Sequence, residues 1–534
     1  MNNADLITNN KTSIGVEFGS TRIKTIMTDL SGSIIAEGSY MWENELIDDN
    51  NMKVWSYSLE NITKGLQSSF SDMLNDCKEK YGVVPEGAGV MGFSAMMHGY
   101  LVFDKDDNLL VPFRTWRNTI TEEASDILTK EFGFNVPQRW SISHLYQAIL
   151  NNEEHIKDIK FITTLAGYIH WKLTGRKVLG IGDASGMFPI TDNAYDKDML
   201  NKFNALIASK VDFKLEDILP EILIAGDDAG SLTEEGAKFL DPTGSFKPGV
   251  LLCPPEGDAG TGMTATNSTS PRTGNVSAGT SVFAMIVMDK PLSEVHKEID
   301  VVTTPDGNPV AMVHCNNCTS DINAWAGMLK GFTNALGLDI DMGKIYTAFF
   351  SSALNGKADA DSIISYNYFS GEPVTGLAEG RPLIVRKPNS EMSFENFTRS
   401  QLMSALASLK IGMDILSAQN VPVEKIYGHG GYFKTPVAGQ KIMAAALECP
   451  VTVMETAGEG GAWGIAVLAL FTLAKKNGEA LGTLGDYLNN VIFNGNNGST
   501  IEPDAEDIKG FNDYISAYKA ALNVEKSACD SLSL

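Results

Sequence analysis

Two carboxylates sit in surroundings unlike those of ordinary surface charges. Glu17 lies in Thr12-Ser-Ile-Gly-Val-Glu-Phe-Gly19, a stretch otherwise apolar or small, two residues before a glycine. If that stretch is a buried strand, a solvated role for Glu17 is not expected. Asp258 sits in Pro254-Pro-Glu-Gly-Asp-Ala-Gly-Thr-Gly262, among residues small enough to let a substrate come close. Carboxylates so placed can take the proton of an attacking hydroxyl, or hold Mg2+ directly or through water, the two needs of phosphoryl transfer. An Asp in a glycine loop can equally be a turn former that bonds its own backbone.

Three glycine-rich turns supply what anionic phosphates would need. Glycine lets the main chain approach a ligand, and unpaired N–H groups at a tight turn form an anion-binding nest. Gly19-Ser20-Thr21 offers amides and hydroxyls and is followed by Arg22 and Lys24; Gly279-Thr280-Ser281 offers a matching set. Gly428-His-Gly430-Gly431-Tyr-Phe-Lys-Thr-Pro436 follows the apolar run Val423 to Tyr427 and precedes the helix-like Gln440 to Glu448, a strand, turn and helix entry suited to a purine or ribose on bare backbone. Neither Gly-x-x-x-x-Gly-Lys-[Ser/Thr] nor Gly-x-Gly-x-x-Gly after a first strand occurs, so a nucleotide must bind in another way. His98, after Met96-Met97, and Trp116, in Phe113-Arg-Thr-Trp-Arg-Asn118-Thr119, are polar or stacking candidates for a small ligand, or else a hydrogen-bonded core histidine and a core filler.

The elements that must position these residues repeat. Thr12 to Asp29 and Gly274 to Met288 each read as strand, small-residue turn and strand. This internal duplication predicts two lobes of similar topology, residues 1–272 and 273–534, with a boundary in the polar stretch Asn267 to Thr273 and the two tips meeting at a shared cleft. Helical periodicity marks Leu59 to Lys78, Thr121 to Glu131 and Phe397 to Ser417, and Asn323 to Leu336 reads as a core-facing helix, so the class is mixed α/β.

Composition bounds the rest. The 534 residues suit two large domains, and 43% hydrophobic content is that of a folded chain. A net charge of −24 repels phosphate backbones and anionic lipid surfaces, so no nucleic-acid or membrane partner is expected. Met1 to Lys11 lacks the apolar core of a signal peptide and Ile465 to Ala474 is too short to span a bilayer, which points to the cytoplasm. Six scattered cysteines do not make a disulfide scaffold, and Cys315-Asn-Asn-Cys318 has no second pair to complete a zinc site.

Taken in order, these blocks resemble the FGGY family of carbohydrate kinases, over nearly the whole chain. Glu17-Phe-Gly-Ser-Thr21 is similar to the family's first phosphate hairpin and Ser94-Ala-Met-Met-His-Gly99 to a Gly-Gln-Met-His-Gly sugar segment. Arg114-Thr-Trp-Arg-Asn118 resembles a Leu-Trp-x-Asp segment, and Asp183-Ala-Ser-Gly186 a loop of the family. Gly257-Asp258-Ala259 resembles its catalytic Asp, Ala278-Gly-Thr-Ser281 its second phosphate hairpin and Gly430-Gly431 its adenosine site. The resemblance implies two ribonuclease H-like lobes of the actin and hexokinase type around an ATP- and sugar-binding cleft.

It also implies roles. Asp258 would be the catalytic base and touch the sugar with Met97, His98, Trp116 and Asn118. Gly19, Ser20, Thr21, Gly279, Thr280, Ser281, Gly430 and Gly431 would bind ATP, and Glu17 and Asp258 Mg2+. The substrate implied is a ketopentose such as xylulose or L-ribulose, with a deoxy-ketohexose or polyol as alternative, and a homodimer is compatible with it. A different class, a non-catalytic actin-like nucleotide switch, shares the architecture. Three departures stand out: Glu17 where the family has Asp, Met96 where it has Gln, and Tyr432-Phe433 after the glycine pair, which suggests a different stacking of adenine.

Overall fold

The computed structural model describes residues 2–49, 52–454, 460–479, 482–495 and 498–532. The chain forms two compact units. One holds Met1–Thr269, Val301–Pro309 and Glu459–Asn494, and the other Ser270–Asp300, Val310–Gly458 and Gly495–Leu534. The first crossing lies three residues before the expected boundary at 272, but the division is not a single cut, because two later segments return to the first unit.

The reason for one return is packing. In the first unit the strands run in the order Leu251–Leu252, Val90–Ala95, Thr12–Phe18, Arg22–Asp29, Ile34–Met41. The last three are antiparallel, while Val90–Ala95 lies parallel to Thr12–Phe18. One face of this sheet is closed by the helix Gly460–Lys476, whose backbone comes so near that a Cβ on Gly15 would stand 2.0 Å from Ala462 O. The Ser13 hydroxyl donates to Ala466 O at 2.8 Å. The helix has nearly all of its first fifteen positions buried, so its apolar run is core packing. Among the described residues no helix is long and apolar enough to cross a membrane.

The second unit repeats the plan. Its strands are ordered Pro309–Cys315, Val282–Val287, Thr273–Ala278, Lys425–His429, Val451–Val453, Ser499–Ile501, and the edge strand Ile299–Thr303 beside Pro309–Cys315 belongs to this unit only as far as Asp300. Again an antiparallel hairpin is followed by a parallel partner, Lys425–His429, beside the first strand. The duplication visible in the two hairpins thus extends to strand order and direction. The long helix Phe394–Ala418 packs beside this sheet and is buried along most of its length.

The helix expected over Asn323 to Leu336 forms as Ser320–Ala335, but it does not face the core. Only Asp321, Ile322 and Ala326 are buried, and Met328, Phe332 and Leu336 are exposed. Its apolar residues occupy two faces rather than one, so helical spacing alone gave no inward direction.

Candidate active site

The first hairpin ends in a turn whose carbonyls are all spoken for. Trp42 Nε1 donates to Gly19 O at 2.8 Å, Tyr57 Oη to Ser20 O at 2.6 Å and the Trp42 amide to Thr21 O at 3.1 Å. The two rings stack with centroids 4.1 Å apart. With its acceptors satisfied from behind, the turn presents its Ser20 and Thr21 amides, which have no acceptor among the described residues. Nothing in the sequence marks Trp42 and Tyr57 for this clamp.

Glu17 precedes the turn on a strand, with its backbone between Lys24 and Ser94. Its half-buried carboxylate meets the start of the helix Gly460–Lys476, where the Ala462 amide favours the charged form. Burial outweighs that, and with the nearby charge of Asp258 lifts the Glu17 pKa to about 7. Asp258 opens the helix Asp258–Ala265 and is accessible to solvent, yet protein atoms crowd its carboxyl and raise its pKa. The Met97 amide donates to its Oδ1 at 3.2 Å.

That bond joins the carboxylate to the sugar-like segment. Val90–Ala95 ends at Ala95, and His98 follows with φ 68°, a left-handed conformation costly for a residue with a Cβ. The His98 ring is buried and stacks near Trp140, and its Nδ1 lies 2.9 Å from Gly186 O. A carbonyl can only accept, so Nδ1 carries the proton and Nε2 is left as an acceptor. Burial, aided by the charge of Arg139, drops the His98 pKa to about 3, so the ring is neutral. Met97 packs its side chain against Gly257 and Gly186. The Asp183-Ala-Ser-Gly186 block is therefore the floor under Met97 and His98.

Two further buried carboxylates join this cluster. Asp183 accepts from Thr164 Oγ1 at 2.5 Å, and burial lifts its pKa to about 7, with Asp258 adding to the rise. Glu256 is lifted by burial to about 8 and accepts from the amides of Gly182, Asp183 and Gly257. Sequence reading passed over Glu256, although its place two residues before Asp258 on a short strand was the available signal.

Trp116 is exposed, on a loop fixed by buried Arg114, which pairs with Asp49 at 3.2 Å and with Glu153. Asn118 is not free to bind a ligand in the way expected. It is buried, its Oδ1 accepts from the Trp55 amide at 2.8 Å, and its Nδ2 donates to Trp55 O and Thr115 O, both at 2.9 Å. It braces the Trp116 loop against the neighbouring strand.

The second unit carries the other glycine turns. At the tip Gly279–Ser281, Gly279 O accepts from the Thr319 amide at 3.0 Å and its hydroxyl at 2.7 Å, and Thr280 O from the Cys318 amide at 3.0 Å. A Cβ built on Gly279 meets nothing within 4 Å among the described residues and its φ is not left-handed, so these residues do not demand glycine there. Gly430 differs: φ is 101°, and a Cβ would stand 2.5 Å from Ala278 O. The Tyr432 and Phe433 rings, expected to alter adenine stacking, are buried in the core, with Tyr432 Oη donating to Leu402 O at 2.9 Å. Tyr432 meets Phe350 edge to face, and the Phe433 ring lies against Gly428. Cys315 and Cys318 are free and buried, and among the described residues no group of three His, Cys, Asp or Glu side chains could hold a metal ion.

The chain is 23% identical to the xylulose kinase of Haemophilus influenzae over 96% of its own length and 99% of that protein. Among solved structures, the xylulose kinase of Lactobacillus acidophilus superposes with a TM-score of 0.75 at 16% identity, covering 98% of this chain and 100% of that one. The Plasmodium falciparum glycerol kinase with ADP does so at 0.74 and 15%, covering 96% and 98%. Residues 12–241 match the N-terminal domain model, and residues 274–473 the C-terminal domain model, of one family. The paired α/β units and both matches agree: the chain belongs to the FGGY family of carbohydrate kinases.

Proposed function

We propose that this carbohydrate kinase transfers the γ-phosphoryl group of ATP to a hydroxyl of a ketopentose, with xylulose ahead of L-ribulose. The observation that carries the reading is the Met97 amide bond to Asp258, which ties the Met97-His98-Gly99 segment to the carboxylate that would take the proton. The name of the Haemophilus influenzae relative supports xylulose. Fold alone does not choose it, since the glycerol kinase superposes about as well as the xylulose kinase.

In this reading His98 Nε2 accepts a hydrogen bond from one sugar hydroxyl and orients it, while the exposed Trp116 ring offers a stacking face to the sugar. Asp258 takes the proton of the attacking hydroxyl; its pKa, raised by the crowding of protein atoms, makes it a better acceptor than an ordinary Asp. Ser20 and Thr21 amides, and the tip Gly279-Thr280-Ser281 in the second unit, take phosphate oxygens, and Gly430-Gly431 takes the adenosine. The Glu17 and Asp258 oxygens suit Mg2+, which commonly uses only one or two protein carboxylates, and their mutual repulsion is what a divalent ion would relieve. When bound there, that ion would neutralise charge on the transferring phosphate. Because the transition state is loose, positioning and charge neutralisation supply most of the rate.

ADP release measured over a panel of ketopentoses, deoxy-ketohexoses, aldoses and polyols tests the reading. The highest kcat/KM is expected for xylulose. A polyol or aldose turned over at least tenfold better would replace the ketopentose, and no turnover on any of them would sink the proposal.

A further inference from the structure

Glu256 is the buried group that the mechanism above leaves without a job. Its carboxylate is enclosed by main chain on several sides. Oε1 accepts from the Gly182 amide at 3.2 Å, and Oε2 from the amides of Asp183 at 3.0 Å and Gly257 at 3.3 Å. The fit excludes side chains around it: a Cβ on Gly180 would stand 2.3 Å from Oε1, and one on Gly182 2.5 Å from Oε2. Two glycines that bracket one side chain imply a carboxylate whose place is fixed within tenths of an ångström.

What the carboxylate holds matters more than how it is held. Gly182 and Asp183 belong to the short helical turn Ile181–Ala184, and Gly186, just past it, supplies the carbonyl that fixes the His98 ring through Nδ1. In the other direction Glu256 is two residues from Asp258 on its own backbone, and Gly257 lies against the Met97 side chain. The same turn is also tied by Thr303, whose amide donates to Ser185 Oγ at 3.0 Å and whose hydroxyl donates to Ile181 O at 3.1 Å. One carboxylate thus sets the distance between the short strand Glu256–Gly257, which leads into Asp258, and the turn that carries the His98 acceptor.

We infer that Glu256 is a positioning residue for sugar recognition, holding the His98 imidazole in register with Asp258 through the backbone of residues 181–186. It touches no reacting atom and acts through His98. The inference rests on the proposed role of His98 as a sugar ligand, so the experiment tests both separately.

Steady-state kinetics would be measured with xylulose and ATP for Glu256→Gln, His98→Ala and their double variant, with melting curves on each. Gln keeps one acceptor oxygen but turns an N–H2 toward backbone donors, so the turn shifts. The sugar KM is expected to rise about tenfold in Glu256→Gln, with ATP KM within about twofold. The double variant should be no worse than His98→Ala within about twofold, because residues acting through one contact are not additive. Fully additive losses, or ATP KM and kcat shifting as much as sugar KM, would overturn the inference. Should Glu256→Gln fail to fold, Gly182→Ala displaces the same carboxylate from the other side and must give the same split between the two KM values. If His98→Ala leaves sugar KM unchanged, the ligand role of His98 fails; if His98→Ala raises it and neither Glu256→Gln nor Gly182→Ala does, Glu256 alone loses its role.

Discussion

The two hairpins are copies in topology and differ in chemistry. In the first, Glu17, Phe18 and Gly19 lead into the tip; in the second the same places hold Ser277, Ala278 and Gly279. Both tips have their glycine carbonyl tied from behind, one by a tryptophan ring nitrogen and the other by Thr319, so both are arranged to present amides. Only the first carries a carboxylate. The next strand extends the contrast. Each first strand has a parallel neighbour, and that neighbour runs into Met97-His98 in one unit and into Gly430-Gly431 in the other. A duplicated α/β plan thus offers two equivalent sheet ends, and point differences leave a carboxylate and a histidine at one and glycine-rich backbone at the other, the basis of the proposed division of labour.

The sharpest test of that division is Asp258→Asn. Asparagine keeps an Oδ1 for the Met97 amide and sits at a solvent-accessible helix start, so folding and the affinity for metal-free ATP should hold. Turnover should fall by about 10²- to 10⁴-fold with loss of the base. Turnover within about tenfold of the parent protein would mean that the first unit does not own the proton transfer.

His98→Ala comes next in size. Removing the ring takes away the Nε2 acceptor proposed for the sugar and the donor from Gly186 O, and kcat/KM for the sugar should drop about 10- to 100-fold, with ATP affinity unchanged. A lower melting point with normal kcat/KM per folded molecule would make His98 a core residue. Gly279→Val asks the matching question of the second unit. Since a Cβ there meets no atom within 4 Å among the described residues, melting should be unchanged, whereas calorimetry should show ATP binding weakened by about tenfold or more. Unchanged affinity would leave the second tip a plain turn.

How much of this was legible beforehand follows from what each feature depends on. The hairpins, with tips at residues 19–21 and 279–281, were readable because strand alternation and turn glycines are local signals. The return of residues 459–494 to the first unit was not, because it depends on Gly15 and the helix backbone meeting across the sequence. Asp258 and His98 stood out by their neighbours, but Asn118 did not betray that its amide would be spent on Trp55, a contact 63 residues away. The exposed side of the helix Ser320–Ala335 failed for a related reason: apolar composition says that a face exists, and only tertiary packing says where it points.

The smallest effect bears on the cost of crowding carboxylates into the first unit. Asp183 is buried, its Oδ1 has no hydrogen-bond partner among the described residues, and its pKa is lifted to about 7 from an ordinary value of 3.8, chiefly by burial. Between these values the folded protein keeps a proton that the unfolded chain has released. Stability must therefore fall as pH rises through that window, and it stays reduced above it. Asparagine is neutral throughout, so Asp183→Asn removes the window, and Thr164 still finds a carbonyl acceptor. Any packing penalty of the amide is the same at every pH and cancels when two are compared. The difference in melting temperature, variant minus parent, should thus be more positive at pH 8 than at pH 5, on the order of a few degrees. Glu256, raised to about 8 in part by Asp183, pushes the same way, since removing the Asp183 charge eases its own ionisation. An equal difference at both pH values would show that Asp183 ionises as an ordinary carboxylate in the folded state, and that the first unit carries its extra charge at no cost.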